Sequence, residues 1–172
     1  MKSSTKENIK QIATTKNYTT NVYIGSNDDE FISAINKSLN NTKYKIIGFE
    51  SDGKKLVKNI KKDIPNILLL DTKINNSSYS EITSSIEKIN IPHIAIIDDI
   101  TDKIIEEIIP GNPFGYLIKP IEIEELERMI DVSVKKHNIN TLKTINAKDK
   151  IKEKNEELLI EKSNSIFLLV TC

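Results

Sequence analysis

Short apolar runs alternate with longer segments of helical periodicity along most of this chain. The runs are of strand length and rich in isoleucine, leucine or aromatic residues. They occupy residues 21–25, 44–49, 66–70, 92–97 and 114–118. In the segments between and after them, apolar residues recur every three or four positions, as in Leu126, Met129, Ile130 and Val134 after the last run. The pattern therefore predicts five strand–helix units.

Strands that are apolar on both faces and joined by helical crossovers are typical of a parallel sheet covered by helices on both sides. We therefore predict a doubly wound α/β domain over residues 21–138, with five parallel strands. Residues 1–20 are polar and aperiodic, and they are predicted to form a disordered N-terminal tail because they cannot bury enough apolar surface to become ordered.

Residues 139–172 carry many charges and scattered leucine and isoleucine without a clean heptad, so they are predicted to form a helical extension. Two interpretations are open: a solvated charged helix, or a helix that pairs with a second copy of the chain. The final segment SIFLLVTC is apolar and strand-like, which suits docking on a partner or the start of a further domain. The extension is too short for a winged-helix domain, so a DNA-binding output is not expected.

Charge and composition narrow the function further. The chain has 25 basic and 25 acidic residues, so no net charge draws it onto nucleic acid or an anionic membrane. No apolar run approaches the ~20 residues of a membrane span, and a cytoplasmic location is expected. The single cysteine, Cys172, excludes an intramolecular disulfide. A glycine-rich phosphate loop and a nucleophile elbow are both missing, so a metabolic enzyme is not expected.

Two candidate functional residues follow predicted strands directly. Asp71 ends the third apolar run, and Lys119 follows the fifth. In an open parallel sheet, chemistry concentrates beyond the carboxyl ends of the strands. A carboxylate that faces a lysine ammonium across this edge is suited to an anion that Asp71 itself carries.

The segments PNILLLD and FGYLIKPIEIEEL resemble the third and fifth strands of the receiver domain of two-component response regulators. The spacing agrees, since Asn27 precedes Asp71 by 44 residues and Ile97 precedes Lys119 by 22. The resemblance covers residues 21 to about 138 and implies the flavodoxin-like strand order 2-1-3-4-5.

The resemblance also implies a role for three residues and a kind of partner. Asp71 corresponds to the phosphoacceptor, Lys119 to the cation that senses the phosphoryl group, and Tyr116 to the aromatic residue that switches. The implied function is a response-regulator-like protein of a phosphorelay that receives a phosphoryl group from a sensor histidine kinase or another signalling protein. It would signal by protein–protein contact.

The acidic pair that holds Mg²⁺ in receivers is replaced here by Ser26 and Asn27. Magnesium is therefore expected to bind weakly, through Asn27, Asp71 and the backbone carbonyl of Lys73, because Mg²⁺ prefers anionic oxygen ligands. A different interpretation is that Asn27, three residues before Glu30, caps the N-terminus of the following helix without a metal.

The hydroxyl that receivers place at the end of the fourth strand is replaced by Ile97, whose side chain cannot form a hydrogen bond. Strand alternation predicts that Asp98 points away from the direction of Ile97, and we expect it to cap the fourth helix or face solvent. Tyr116 then either switches or packs on that helix. Two functions are consistent with these departures: a phosphorylated receiver, or a pseudo-receiver that acts as a docking or dimerisation module without phosphorylation.

Overall fold

A computed structural model describes residues 19–170, and the side chains of residues 19–165. Five parallel strands form one sheet in the order β2-β1-β3-β4-β5, which confirms the predicted α/β fold and its strand order. The strands are β1 (Thr20–Gly25), β2 (Tyr44–Glu50), β3 (Ile67–Asp71), β4 (His93–Ile97) and β5 (Tyr116–Ile118). Thr20 belongs to β1, so the predicted tail extends one residue too far, and its residues 1–18 lie outside the described part.

Within the described residues, five α-helices connect or follow the strands, and a 3-10 helix covers Ile109–Gly111. The α-helices are α1 (Asp29–Ser38), α2 (Gly53–Asp63), α3 (Tyr79–Glu87), α4 (Asp102–Ile108) and α5 (Ile123–Val170). Each of the first four is preceded by a residue whose side-chain oxygen accepts a hydrogen bond from the first turn, namely Asp28, Asp52, Ser78 and Thr101. These caps explain where the helices begin, because the first backbone N–H groups of a helix have no partner within it.

The sheet buries a separate apolar cluster on each face. One face packs against α1 and α5, and the other against α2, α3 and α4. Strand residues contribute alternately to the two faces, as a period of two requires. The α1/α5 face takes Val22, Ile24, Ile67, Leu69, Ile94, Ile96 and Leu117, while the α2–α4 face takes Tyr23, Leu68, Leu70, Ala95 and Ile97.

The chain divides into two compact units between Val134 and Lys135. Helix α5 is continuous through Val170, so the strand-like interpretation of the final apolar segment is wrong for residues 165–170; residues 171–172 lie outside the described part. The segment 123–170 contains no glycine or proline to interrupt the helix. Each residue added to an existing helix gains a backbone hydrogen bond, which outweighs the β-propensity of a short apolar run.

In the second unit, charged residues surround several exposed aliphatic side chains, among them Ile139, Ile145, Ile151 and Leu158. Among the helices of residues 19–170, none combines the length and apolar character that a membrane crossing requires.

Candidate functional site

Strand alternation brings four polar residues together at the carboxyl edge of the sheet, on the α1/α5 face. Each lies two positions after an apolar residue of that face, so its side chain emerges on the same side of the sheet. The pairs are Ile24 and Ser26, Leu69 and Asp71, Ile96 and Asp98, and Leu117 and Lys119. These four residues and Asp28, which precedes α1, make up five residues that we call the Asp71 cluster.

Asp71 is almost fully buried in this cluster, at 1% exposure. Its Oδ2 accepts a hydrogen bond from the Ser26 hydroxyl at 2.7 Å and another from the Lys119 ammonium at 2.7 Å. Its Oδ1 accepts the backbone N–H of Lys73 at 2.9 Å. A buried carboxylate is stable only when it is paired and hydrogen-bonded, and these three donors meet that requirement.

Lys119 is the hub of the cluster, because its Nζ contacts three carboxylates. The distances are 2.7 Å to Asp71, 2.9 Å to Asp28 and 3.3 Å to Asp98. The ammonium also lies 5.1 Å from the centre of the Phe31 ring. Burial lowers the pKa of Lys119, but hydrogen bonds to Asp71 and Asp28 and the charges of Asp71 and Asp98 outweigh it, so the pKa is raised. Lys119 is therefore a fixed positive charge.

Asp28 has two functions in this arrangement. Its Oδ1 accepts the backbone N–H of Phe31 at 2.9 Å and so caps α1, while its Oδ2 pairs with Lys119. These two interactions, the cap first, lower the pKa of Asp28. The cap is therefore one residue later than the predicted Asn27. Asn and Asp are equally favoured as N-caps, so residue type does not show which of the two caps α1. The N–H that is capped belongs to Phe31, three residues after Asp28.

Asp98 joins the cluster from the loop after β4. Its side chain is 38% exposed, so it faces solvent as expected, but it does not cap α4. It is paired with Lys119 and with the side chain of Lys73, and Thr101 caps α4 instead. The hydrogen bond from Lys73 is the main cause of the lowered pKa of Asp98, and that bond also raises the pKa of Lys73. Sequence reasoning thus left Asp71 as the single acid of the site, whereas the structure adds Asp28 and Asp98.

The remaining predicted residues lie apart from the Asp71 carboxylate. Asn27 is exposed, and its amide donates to the side-chain oxygen of Asn75 at 3.3 Å. Ile97 is fully buried on the α2–α4 face, opposite to Asp71. Tyr116 neighbours Leu117 in β5 and is 41% exposed, so alternation places its side chain on the face opposite to Leu117 and Lys119.

The resemblance to receivers implies a magnesium ion at this edge of the sheet. Mg²⁺ demands near-octahedral coordination by hard oxygen ligands. Within residues 19–170, no three acidic, histidine or cysteine side chains are grouped so that they could hold a metal ion. The Asp28 and Asp98 carboxylates are directed at Lys119, and Asn27 is directed at Asn75. The residues in this arrangement therefore do not fit Mg²⁺.

The fold is similar to that of several solved receiver domains. The signal receiver domain of a modulated diguanylate cyclase from Desulfovibrio desulfuricans matches with a TM-score of 0.66 at 23% identity, over 70% of this chain and 98% of that one. The receiver domain of a sensor histidine kinase from Pseudomonas aeruginosa, crystallised with a magnesium ion in its active-site cleft, matches with a TM-score of 0.62 at 18% identity, over 67% and 97%.

A third similar structure is the signal receiver domain of a response regulator from Mycobacterium tuberculosis, with a TM-score of 0.60 at 15% identity, over 70% of this chain and 97% of that one. No protein-family model matches the sequence, and no curated protein sequence matches it. At these identities the similarity establishes the fold. The chain has the receiver fold, as its resemblance to receivers predicts.

Proposed function

We propose that this chain is a response-regulator-like signalling protein that receives a phosphoryl group on Asp71 and signals by protein–protein contact. The observation that carries the proposal is the pairing of Asp71 with Lys119 at 2.7 Å, at the carboxyl edge of a receiver-type sheet. This edge is where open parallel sheets bind ligands. Receivers act as signalling domains, so we propose that this chain has no metabolic enzyme activity. We also propose that it is located in the cytoplasm.

Phosphoryl transfer to Asp71 requires a positioned nucleophile and neutralisation of charge. An Asp71 oxygen attacks the phosphorus of the donor, and the new O–P bond forms as the bond from phosphorus to the leaving group breaks. The leaving group departs with the electron pair and takes a proton from solvent. Lys119 supplies the positive charge that offsets repulsion between the carboxylate and the phosphoryl oxygens. The proposed donor in the cell is the phosphohistidine of a sensor kinase or another relay protein.

A second function is favoured by the closure of the site. Asp71 is 1% exposed, and both of its carboxylate oxygens are hydrogen-bonded. Ile97 lies on the opposite face of the sheet and has no hydroxyl to offer a phosphoryl group. A carboxylate that is paired in this way can have a purely structural role, without being phosphorylated. The alternative is therefore a pseudo-receiver that docks or dimerises without phosphorylation, with the extension from Lys135 onward as the contact element.

Incubation with a small phosphodonor such as acetyl phosphate or phosphoramidate tests the first function. We expect a phosphoryl mass shift in the intact protein that is absent in Asp71→Asn. Asp99→Asn is the matched control, because Asp99 is an exposed aspartate in the loop after β4. The reaction is run with and without Mg²⁺, and little dependence is expected because the donors do not fit the ion.

Two outcomes contradict the proposal in different ways. A mass shift that persists in Asp71→Asn would refute the assignment of the site. No shift with any donor, or with any kinase tested, would favour the pseudo-receiver. In that case the oligomeric state of the intact chain, measured by sedimentation, decides between docking on another protein and dimerisation.

A further inference from the structure

The Asp71 carboxylate is enclosed by a ring of four interactions. Its Oδ1 accepts the backbone N–H of Lys73, and the side chain of Lys73 pairs with Asp98 Oδ2. Asp98 Oδ1 lies 3.3 Å from Lys119 Nζ, which returns to Asp71 Oδ2 at 2.7 Å. The ring thus joins the loop after β3, the loop after β4 and the end of β5.

The ring is layered from the interior to solvent. Asp71 is 1% exposed, and the side chain of Lys119 is 15% exposed. The outer pair is much more open, with 66% exposure for Lys73 and 38% for Asp98. The outer pair is therefore the part of the ring that is most exposed to solvent.

We propose that the Lys73–Asp98 ion pair is a strap that limits the access of water and of phosphoryl donors to Asp71. An exposed ion pair is weak, because solvent screens it and both side chains lose freedom in forming it. A strap made of such a pair opens readily and recloses without loss of the fold. The inner pair between Asp71 and Lys119 stays in place while the strap opens, because it is buried.

The strap also carries charge that an anionic donor must meet. Three carboxylates, Asp28, Asp71 and Asp98, surround the Lys73 and Lys119 ammonium groups, so the site holds an excess of one negative charge. Asp98 both fixes Lys73 and opposes a phosphoryl donor by like-charge repulsion. Replacement of Asp98 therefore removes both the ion pair with Lys73 and the repulsion of an anionic donor. An experiment with this variant needs a control that removes only the charge.

Water is uncharged, so its access to the site reports opening of the strap without charge repulsion. This access is measured as amide hydrogen exchange at position 73, by NMR on the intact chain. The N–H of Lys73 bonds to Asp71 Oδ1 within the ring, so its protection reports opening by water alone. We expect Asp98→Ala to lower the protection factor at this amide by about fivefold, the upper range for an exposed pair. Asp99→Ala removes the same charge from the next residue and is expected to leave the protection unchanged.

Salt provides a second arm of the same measurement. At 1 M salt the Debye length falls to about 3 Å, which weakens exposed pairs far more than buried ones. Protection at position 73 should fall with salt in the wild type and in Asp99→Ala, but not in Asp98→Ala. Equal protection in all three proteins, or equal salt dependence, would overturn the strap.

The part that concerns phosphoryl donors rests on the proposed function. If Asp71 is phosphorylated, Asp98→Ala should accelerate the reaction with acetyl phosphate about fivefold or more, and Asp99→Ala by less than about twofold. Equal rates in the two variants would remove the strap from control of phosphorylation. If no variant is phosphorylated, the proposed function fails, whereas amide exchange still decides whether the strap exists.

Discussion

Asp71 and His93 are buried polar residues toward opposite ends of the parallel strands. Asp71 ends β3, whereas His93 begins β4; they are 1% and 4% exposed. Asp71 meets a lysine ammonium, but His93 meets the hydroxyl of Tyr79, with Nε2 and Oη 2.8 Å apart. Burial lowers the pKa of His93 to about 4 and raises that of Tyr79, so this pair is neutral at pH 7.

The two sites therefore differ in how the cost of burial is offset. At the Asp71 cluster, an opposite charge and hydrogen bonds compensate for the loss of hydration. At the Tyr79–His93 pair, loss of the charge itself removes most of that cost, and one hydrogen bond suffices. Asp71 is thus matched with an opposite charge, whereas the Tyr79–His93 pair is held neutral. Three experiments test this difference between the two sites.

The largest effect is expected from Lys119→Met, which leaves the Asp71 carboxylate buried without its counter-charge. Removal of one partner of a buried pair costs about 3–5 kcal/mol, so we expect a loss of about 4 kcal/mol in the free energy of unfolding by urea at pH 7. Lys43→Met is the matched control: Lys43 pairs with Asp131 at 2.5 Å but is 54% exposed, so its loss should cost less than about 1 kcal/mol. Equal losses in the two variants would contradict the role assigned to burial.

The pH dependence of the unfolding free energy should show that the Tyr79–His93 pair is neutral. The pKa of His93 is about 4 in the folded protein and about 6.5 in the unfolded chain. Between these values the unfolded state binds the extra proton, so stability is complete above pH 6.5 and falls with acidification, by about 3 kcal/mol at pH 4.

The variant His93→Gln isolates this contribution. Urea unfolding of the wild type and of His93→Gln is compared between pH 7 and pH 4. From pH 7 to pH 4, the unfolding free energy of the wild type should fall by about 3 kcal/mol more than that of His93→Gln, because Gln does not titrate. A constant difference would show that His93 is not held neutral.

The smallest effects come from removal of one hydroxyl at each site. Ser26→Ala removes a donor to the Asp71 carboxylate, and we expect a loss of about 2 kcal/mol. Tyr79→Phe removes a hydrogen bond between neutral groups, and we expect a loss of about 1 kcal/mol. Chemical denaturation of both variants measures the difference. A larger loss in Tyr79→Phe than in Ser26→Ala would reverse the comparison.

Much of the fold follows from the sequence, because five apolar runs separated by helical periods leave few arrangements other than a parallel α/β sheet. The proximity of Asp71 and Lys119 also follows, since Asp71 ends one strand and Lys119 directly follows another that points to the same edge. The extent of the Asp71 cluster does not. The runs ILLLD and HIAII are buried on both faces, so the sequence does not reveal which alternate set faces α1 and α5.

This ambiguity explains why Asp98 was missed. The resemblance to receivers directs attention to Ile97, whereas the register places Ile96 beside Asp71 and so brings Asp98, two residues on, to the cluster. Asp28 was missed for a local reason: the run of Asn27, Asp28 and Asp29 offers adjacent caps, and a shift of one residue lies within the uncertainty of any boundary prediction.

The hydroxyl of Ser26 couples two positions of the chain, since it donates to Asp71 Oδ2 at 2.7 Å and accepts the backbone N–H of Asp28 at 3.1 Å. An aspartate at position 26 would bring a second carboxylate to the same place, and the two negative charges would repel each other. The acidic pair of a metal-binding receiver is therefore not one substitution away. A carboxylate at position 26 would have to be accommodated by shared positive charge or by protonation, whereas the serine needs neither.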